Sequence, residues 1–186
     1  MTPRSPIERV VVLHGYGATP DDHWFRSLAR SLAPVEVQVP ALPSPDAPDV
    51  EAWVAAAGAA LGSPDEHTAV VGHSLGCVTA LHALDRVPGE WRLGGLVLVA
   101  GFTAPLPLLP ELDAFTAGAP DVARTAARTV RRHVLLAPDD PLVPAALSRD
   151  LATGLEAHVH EVPGAGHFLA SDGVTDLPEA TALLLG

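Results

Sequence analysis

The pentapeptide Gly72-His73-Ser74-Leu75-Gly76 stands between an aliphatic run, Thr68 to Val71, and a stretch with helical patterning that begins at Leu75. A serine in a sharp strand-to-helix turn can project its hydroxyl above a sheet only if its neighbours lack Cβ and let strand and helix approach. A helix starting at the same turn aims free backbone donors toward the place where negative charge would develop on an attacked carbonyl. The chemistry this spacing suggests is acyl transfer to Ser74. So short a pattern draws its weight from its context.

A serine hydroxyl is a weak nucleophile at its own pKa and needs an adjacent base, which needs a carboxylate to orient it. Asp139-Asp140-Pro141 follows an apolar run that ends at Ala137, and His167 closes Gly164-Ala165-Gly166-His167 after the last such run. Periodicity leaves Asp139 and Asp140 equally placed, and Glu111 and Asp113 are further candidates for the orienting acid. Leu13-His14-Gly15-Tyr16-Gly17 follows the first aliphatic run. The backbone N–H of Tyr16, paired with that of Leu75, would bind the oxygen of a tetrahedral intermediate, each donor contributing about 3 to 4 kcal/mol. Alternatively, Gly15 and Gly17 only shape a turn into the next helix.

The elements that must position these groups alternate between short aliphatic runs and longer amphipathic stretches, the pattern of βαβ units. Strands are expected at Arg9 to Leu13, Val35 to Val39, Thr68 to Val71, Leu96 to Ala100, His133 to Ala137 and His158 to Val162. Helices are expected at His23 to Leu32, capped by Asp21 or Asp22, and at Val50 to Leu61, Leu75 to Asp85, Pro144 to Ala152 and Leu177 to Leu185. The fold class is therefore α/β: a three-layer αβα sandwich of about six mainly parallel strands. Ser74, the Asp pair and His167 each fall just past the C-terminal end of a different strand, where parallel sheets gather their sites. A Pro-rich, apolar segment, Phe102 to Pro120, reads as a packed loop or a wall of a substrate pocket.

The 186 residues are one domain's worth of chain, spanning 1–186, and 48% of them are apolar, enough to fill a core. All 11 basic residues are Arg against 22 acidic ones, giving a net charge of −11. Such a chain lacks the basic stripe that nucleic acid or an anionic membrane surface needs. No apolar run approaches a membrane span or a signal-peptide core, and the single Cys77 cannot form an internal disulfide. The expectation is a cytoplasmic globular protein.

The quoted residues resemble those of the α/β-hydrolase superfamily, whose triad follows the chain order Ser, Asp, His. More narrowly, the chain resembles the compact serine hydrolases that include retinoblastoma-binding protein nine and its small bacterial relatives. The matching stretches are His14-Gly15-Tyr16-Gly17 with His23-Trp24-Phe25, the Ser74 turn extended by Cys77, Val99-Ala100-Gly101-Phe102, Asp139-Asp140-Pro141-Leu142-Val143-Pro144 and Gly164-Ala165-Gly166-His167. The resemblance implies a hydrolase core without a cap domain, a Ser74, Asp140 and His167 triad, and esterase-like activity on small substrates without metal or cofactor. It places the acid immediately before Pro141, hence at Asp140. Where relatives tend to carry a polar residue after the histidine, this chain has Phe168-Leu169, which makes the rim of the site more apolar.

His14, Gly15, Trp24, Phe102 and Phe168 are the candidate substrate contacts, although Trp24 and Trp53 also suit helix packing. His158 and His160 share a strand face but lack a third metal ligand in the pattern. His73, His82 and His133 read as packing or hydrogen-bonding residues, and Cys77 as a buried thiol. The expected reaction is hydrolysis of a small-molecule ester. An amidase or aminopeptidase with the same triad, and a hydrolase-fold binding protein with little turnover, are the competing functions. The pattern names no protein partner.

Overall fold

Side chains alternate across a strand, and here the alternation sends each strand's residues into two separate cores. The computed structural model describes residues 6–186. Its strands are β1 (Arg9–Leu13), β2 (Glu36–Gln38), β3 (Thr68–His73), β4 (Leu93–Val99), β5 (Thr129–Leu136) and β6 (His158–Glu161). They form one sheet in the order β2-β1-β3-β4-β5-β6, every neighbouring pair parallel. Helices follow the strands in turn: α1 (Phe25–Ser31), α2 (Val50–Leu61), α3 (Leu75–Asp85), α4 (Val122–Ala127), α5 (Ala145–Gly154) and α6 (Pro178–Leu185).

Val10 and Val12 of β1 join Trp24, Leu28, Ala180 and Leu184, which places α1 and α6 on one face. Val11 and Leu13 join Trp53, Ala57, Val78, Leu81, Ala126 and Leu151, which places α2 to α5 on the other. Each fully buried large aliphatic side chain contributes roughly 1.5 to 3 kcal/mol. Every residue of β3 and β4 is buried, as expected of central strands covered on both sides. Among the described residues no helix is long and apolar enough to cross a membrane.

The chain leaves β1 for β2 on one side and returns across β1 to place β3 on the other. Consecutive connections that diverge in this way leave a crevice at the C-terminal ends of the two strands. Gly15 follows β1 and Ser74 follows β3, so both stand at that crevice.

Several local expectations are corrected. β4 starts at Leu93, ahead of the aliphatic run, because Gly94 lets the strand approach the loop that leads into β3: a Cβ there would lie 2.2 Å from the Glu66 carbonyl oxygen. Neither Asp21 nor Asp22 caps α1, whose N-cap is Trp24. The Asp22 carboxylate instead accepts from the Thr19 N–H at 2.7 Å and its hydroxyl at 2.8 Å. The six-residue α4 is too short to show a periodicity, but Asp121 caps it by accepting from the Arg124 N–H at 2.8 Å. The apolar segment before it carries a 3-10 turn, Pro110–Phe115.

Candidate active site

Ser74 sits between β3 and α3 at φ 54 and ψ −120, a conformation L residues rarely adopt. Its N–H donates to the Val99 carbonyl at 2.9 Å, and its own carbonyl accepts from the Cys77 N–H at 2.9 Å. These bonds and the flanking glycines offset a strain of about 1 to 3 kcal/mol. A Cβ on Gly72 would stand 2.8 Å from Cys77 Cα, and one on Gly76 would stand 2.1 Å from the Leu13 carbonyl oxygen. Both are backbone clashes, so the turn closes only with glycine at these positions.

The Ser74 Oγ lies 2.9 Å from His167 Nε2, and His167 Nδ1 lies 2.8 Å from Asp140 Oδ2. The second oxygen of Asp140 accepts from the N–H groups of Leu142 at 2.8 Å and Val143 at 2.9 Å. With Nδ1–H donated to a buried carboxylate, Nε2 is left to accept the serine proton. Asp139 faces outward and accepts from the N–H groups of Gly164 at 2.8 Å and Gly166 at 3.2 Å, bonds that hold its carboxyl below the usual range. Glu111 and Asp113 lie in the 3-10 turn. The alternatives left open by spacing thus separate: the acid beside the imidazole is Asp140.

The backbone of His167 is held as closely as its ring. Its N–H donates to the Asp172 carboxylate at 2.9 Å, and its carbonyl accepts from His73 Nε2 at 2.9 Å. Asp172 also accepts from the Leu169 N–H at 3.1 Å. Sequence reasoning missed Asp172; the Asp172-Gly173 pair shortly after the histidine was the available signal, since aspartate commonly ties such turns.

On the opposite wall, His14 donates from Nδ1 to the Gly15 carbonyl at 3.0 Å and accepts at Nε2 from the Leu42 N–H at 3.0 Å. Burial lowers its pKa below 6.5 and favours this neutral form. The Gly15 carbonyl accepts also from the Ala18 N–H at 3.3 Å, so the planar trans peptide turns the Tyr16 N–H the other way. The Leu75 N–H lies in the first turn of α3, where no earlier helical carbonyl can reach it. Gly15 packs directly against Ser74, a Cβ there falling 3.1 Å from Ser74 Cβ.

Of the candidate substrate contacts, only Gly15 touches Ser74 in this way. Trp24, Phe102 and Phe168 are at 0% exposure and His14 at 1%, which leaves them no side-chain surface to offer a ligand. They belong behind the site. Trp24 packs edge-on against His73 at 5.9 Å between ring centroids, Phe102 lies in the core on the α2 to α5 side, and Phe168 in the core beside α1 and α6. The aromatic types were legible, but the side of the chain on which each ring falls was not.

The remaining candidates stand apart. His133 Nδ1 meets His160 Nε2 at 3.1 Å beside His158 at the β5 and β6 edge. Among the described residues no group of three or more His, Cys, Asp or Glu is placed to hold a metal ion. Burial pushes the Cys77 thiol far above its ordinary pKa, and its S–H donates to the Val99 carbonyl at 3.4 Å.

The family model described as serine hydrolase matches residues 10–185. The chain belongs to the serine hydrolase family. The match runs from β1 into α6, so this serine hydrolase carries the Ser74 turn, the Asp140 loop and the His167 loop within the shared region. YdeN of Bacillus subtilis (strain 168) is 38% identical over 173 residues, covering 92% of this chain and 91% of YdeN. The crystal structure of the B. subtilis ydeN gene product matches with a TM-score of 0.92 at 36% identity, over 95% of this chain and 96% of that one. A YdeN-like protein from Pectobacterium atrosepticum, 23% identical, shares the fold with a TM-score of 0.71 over 96% of this chain and 89% of its own. The architecture is that of a compact α/β-hydrolase.

Proposed function

We propose that this serine hydrolase cleaves small carboxylic esters through an acyl-enzyme on Ser74. The observation that carries the reading is the hydrogen-bonded series from Ser74 Oγ through His167 to Asp140, at 2.9 and 2.8 Å. His167 Nε2 takes the hydroxyl proton as Oγ attacks the ester carbonyl, and the developing oxyanion receives the N–H groups of Tyr16 and Leu75. The imidazolium returns the proton to the departing alkoxide and the acyl group stays on Ser74. Water then attacks the acyl carbon, His167 accepting its proton and passing it to Ser74 Oγ as the acid leaves. Asp140 keeps the ring in the required tautomer throughout, its other oxygen anchored by the Leu142 and Val143 N–H groups.

The test is labelling with a fluorophosphonate, followed by mass spectrometry, alongside turnover of short-chain p-nitrophenyl esters. Label on Ser74 of the wild type, with Ser74→Ala unlabelled and lowered in kcat by about 10^4-fold or more, is the expected result. Ester turnover that survives Ser74→Ala in the folded protein would overturn it. A wild type that takes the label but turns over amides and not esters would move the reading to an amidase.

A further inference from the structure

His73 adjoins the nucleophile, is fully buried, and takes no part in the proton path from Ser74 to Asp140. Its Nε2 reaches the backbone carbonyl of His167, 94 residues away, at 2.9 Å. A carbonyl can only accept, so Nε2 carries the hydrogen. The other nitrogen, Nδ1, is buried without a hydrogen-bond partner among the described residues. Burial holds the ring's pKa well below 6.5, which keeps it neutral beside the His167 ring, 5.2 Å away between centroids. An unpaired buried nitrogen is unfavourable, so filling space does not account for a histidine at this place.

The turn that carries His167 lies between β6 and the 3-10 turn Ala170–Asp172, outside any strand or helix. Side chains from its surroundings therefore hold it: one from the loop after β5, one from the 3-10 turn that follows and one from the end of β3. Asp139 takes Gly164 and Gly166, Asp172 takes the His167 and Leu169 N–H groups, and His73 takes the His167 carbonyl. His23, at φ 53, accepts from the Ala170 N–H at Nδ1 at 3.2 Å and packs edge-on against His73 at 5.5 Å. The two histidines thus link the loop after β1, the Ser74 turn and the His167 turn.

We infer that His73, backed by His23, is a positioning residue for His167: its Nε2–H bond to the His167 carbonyl fixes the imidazole against a nucleophile that is its own chain neighbour. The inference rests on the acyl-enzyme reading above. Proton transfer from Ser74 depends on the Oγ to Nε2 geometry, and a shift near 1 Å at such a pair lowers rate about 10²-fold. Substrate affinity does not pass through this bond, so the loss belongs to kcat.

The experiment compares His73→Phe, which keeps a ring and removes the donor, with His73→Gln, whose amide nitrogen reaches about as far as Nε2. Trp24→Phe, on the same ring cluster, controls for loosened packing, and Ser74→Ala is assayed in parallel. With a neutral short-chain ester, His73→Phe is expected to lose roughly 10- to 100-fold in kcat with KM within about twofold. His73→Gln recovers most of that loss, while Trp24→Phe keeps kcat even where its Tm falls as far. His23→Asn, which retains an acceptor and tolerates positive φ, keeps kcat, and His23→Gly lowers it. A folded His73→Phe with wild-type kcat overturns the inference, as does a His73→Gln no better than His73→Phe. If His73→Phe does not fold, His73→Asn, too short to reach the carbonyl, replaces it under the same criteria. Turnover surviving in Ser74→Ala defeats the acyl-enzyme reading itself. An inactive Ser74→Ala with an unimpaired His73→Phe defeats only the positioning role.

Discussion

Asp140 Oδ2 lies 2.8 Å from His167 Nδ1, while the adjacent carboxylate, Asp139, turns outward to the amides of Gly164 and Gly166. Two neighbouring aspartates therefore hold the same loop by different atoms, one at the ring and one at the backbone.

This division predicts unequal variants. Asp140→Asn removes the acceptor that sets the imidazole tautomer and is expected to lower kcat by about 10³- to 10⁴-fold with the fold intact, by analogy with other triads. Asp139→Asn is expected to lower kcat by less than about 10-fold, since it only loosens an exposed tether. Steady-state kinetics on one ester checks both; equal losses would contradict the geometry.

Gly76 and Gly58 should respond in opposite directions to alanine. A Cβ at Gly76 would stand 2.1 Å from the Leu13 carbonyl and 2.7 Å from that of His14, so Gly76→Ala forces β1 and α3 apart. A loss of about 3 kcal/mol or more, or failure to fold, is expected. Gly58 lies in α2, where an added Cβ would meet nothing within 4 Å, and Gly58→Ala should gain about 0.5 to 1 kcal/mol from helix propensity. Urea denaturation of the pair decides.

The burial of Phe102 predicts that it acts on stability rather than on substrate. Phe102→Ala is expected to lower stability by about 3 to 5 kcal/mol through the cavity it leaves. The milder Phe102→Leu should fold, lose about 1 to 2 kcal/mol and keep KM within about twofold. A large rise in KM for a folded Phe102→Leu would return this ring to the substrate wall.

Stability should fall on mild acidification. Burial lowers the pKa of His14, His23 and His73 below 6.5. The unfolded chain therefore binds protons that the folded one refuses as pH drops through 6.5. The contribution of these neutral rings is complete above that value and is lost below it, at up to about 1.4 kcal/mol per pH unit for one fully buried group. Urea midpoints between pH 7.5 and 5 should decline, less steeply for His73→Gln. Asp22, Asp65 and Asp139, whose pKa values are lowered from 3.8, add a second loss at more acid pH. A flat profile from pH 7.5 to 5 would show that the histidines titrate alike in both states.

Much of the fold was legible because its determinants are local. Aliphatic runs of strand length, helical patterning between them and glycines around Ser74 each express a rule that acts over a few residues, and the six strands follow. Legibility ended at β4, where Gly94 serves close approach to a distant loop, and at α1, where Asp22 binds Thr19 rather than the helix.

For the site, local patterns along the chain were enough to say which groups stand at the C-terminal edge of the sheet: Ser74, the Asp139 and Asp140 pair, His167 and the glycines of the loop after β1. Helical crossovers keep successive strands parallel, so residues after a strand all fall at the same end of the sheet. It took the assembled fold to show that Asp140 meets the imidazole, that Asp172 and His73 hold the His167 backbone, and that Trp24, Phe102 and Phe168 lie behind the site. Those choices turn on side-chain direction and contacts between segments as far apart as His73 and His167. Hydrogen bonds act within about 3 Å, and no local pattern along the chain carries a distance of that kind.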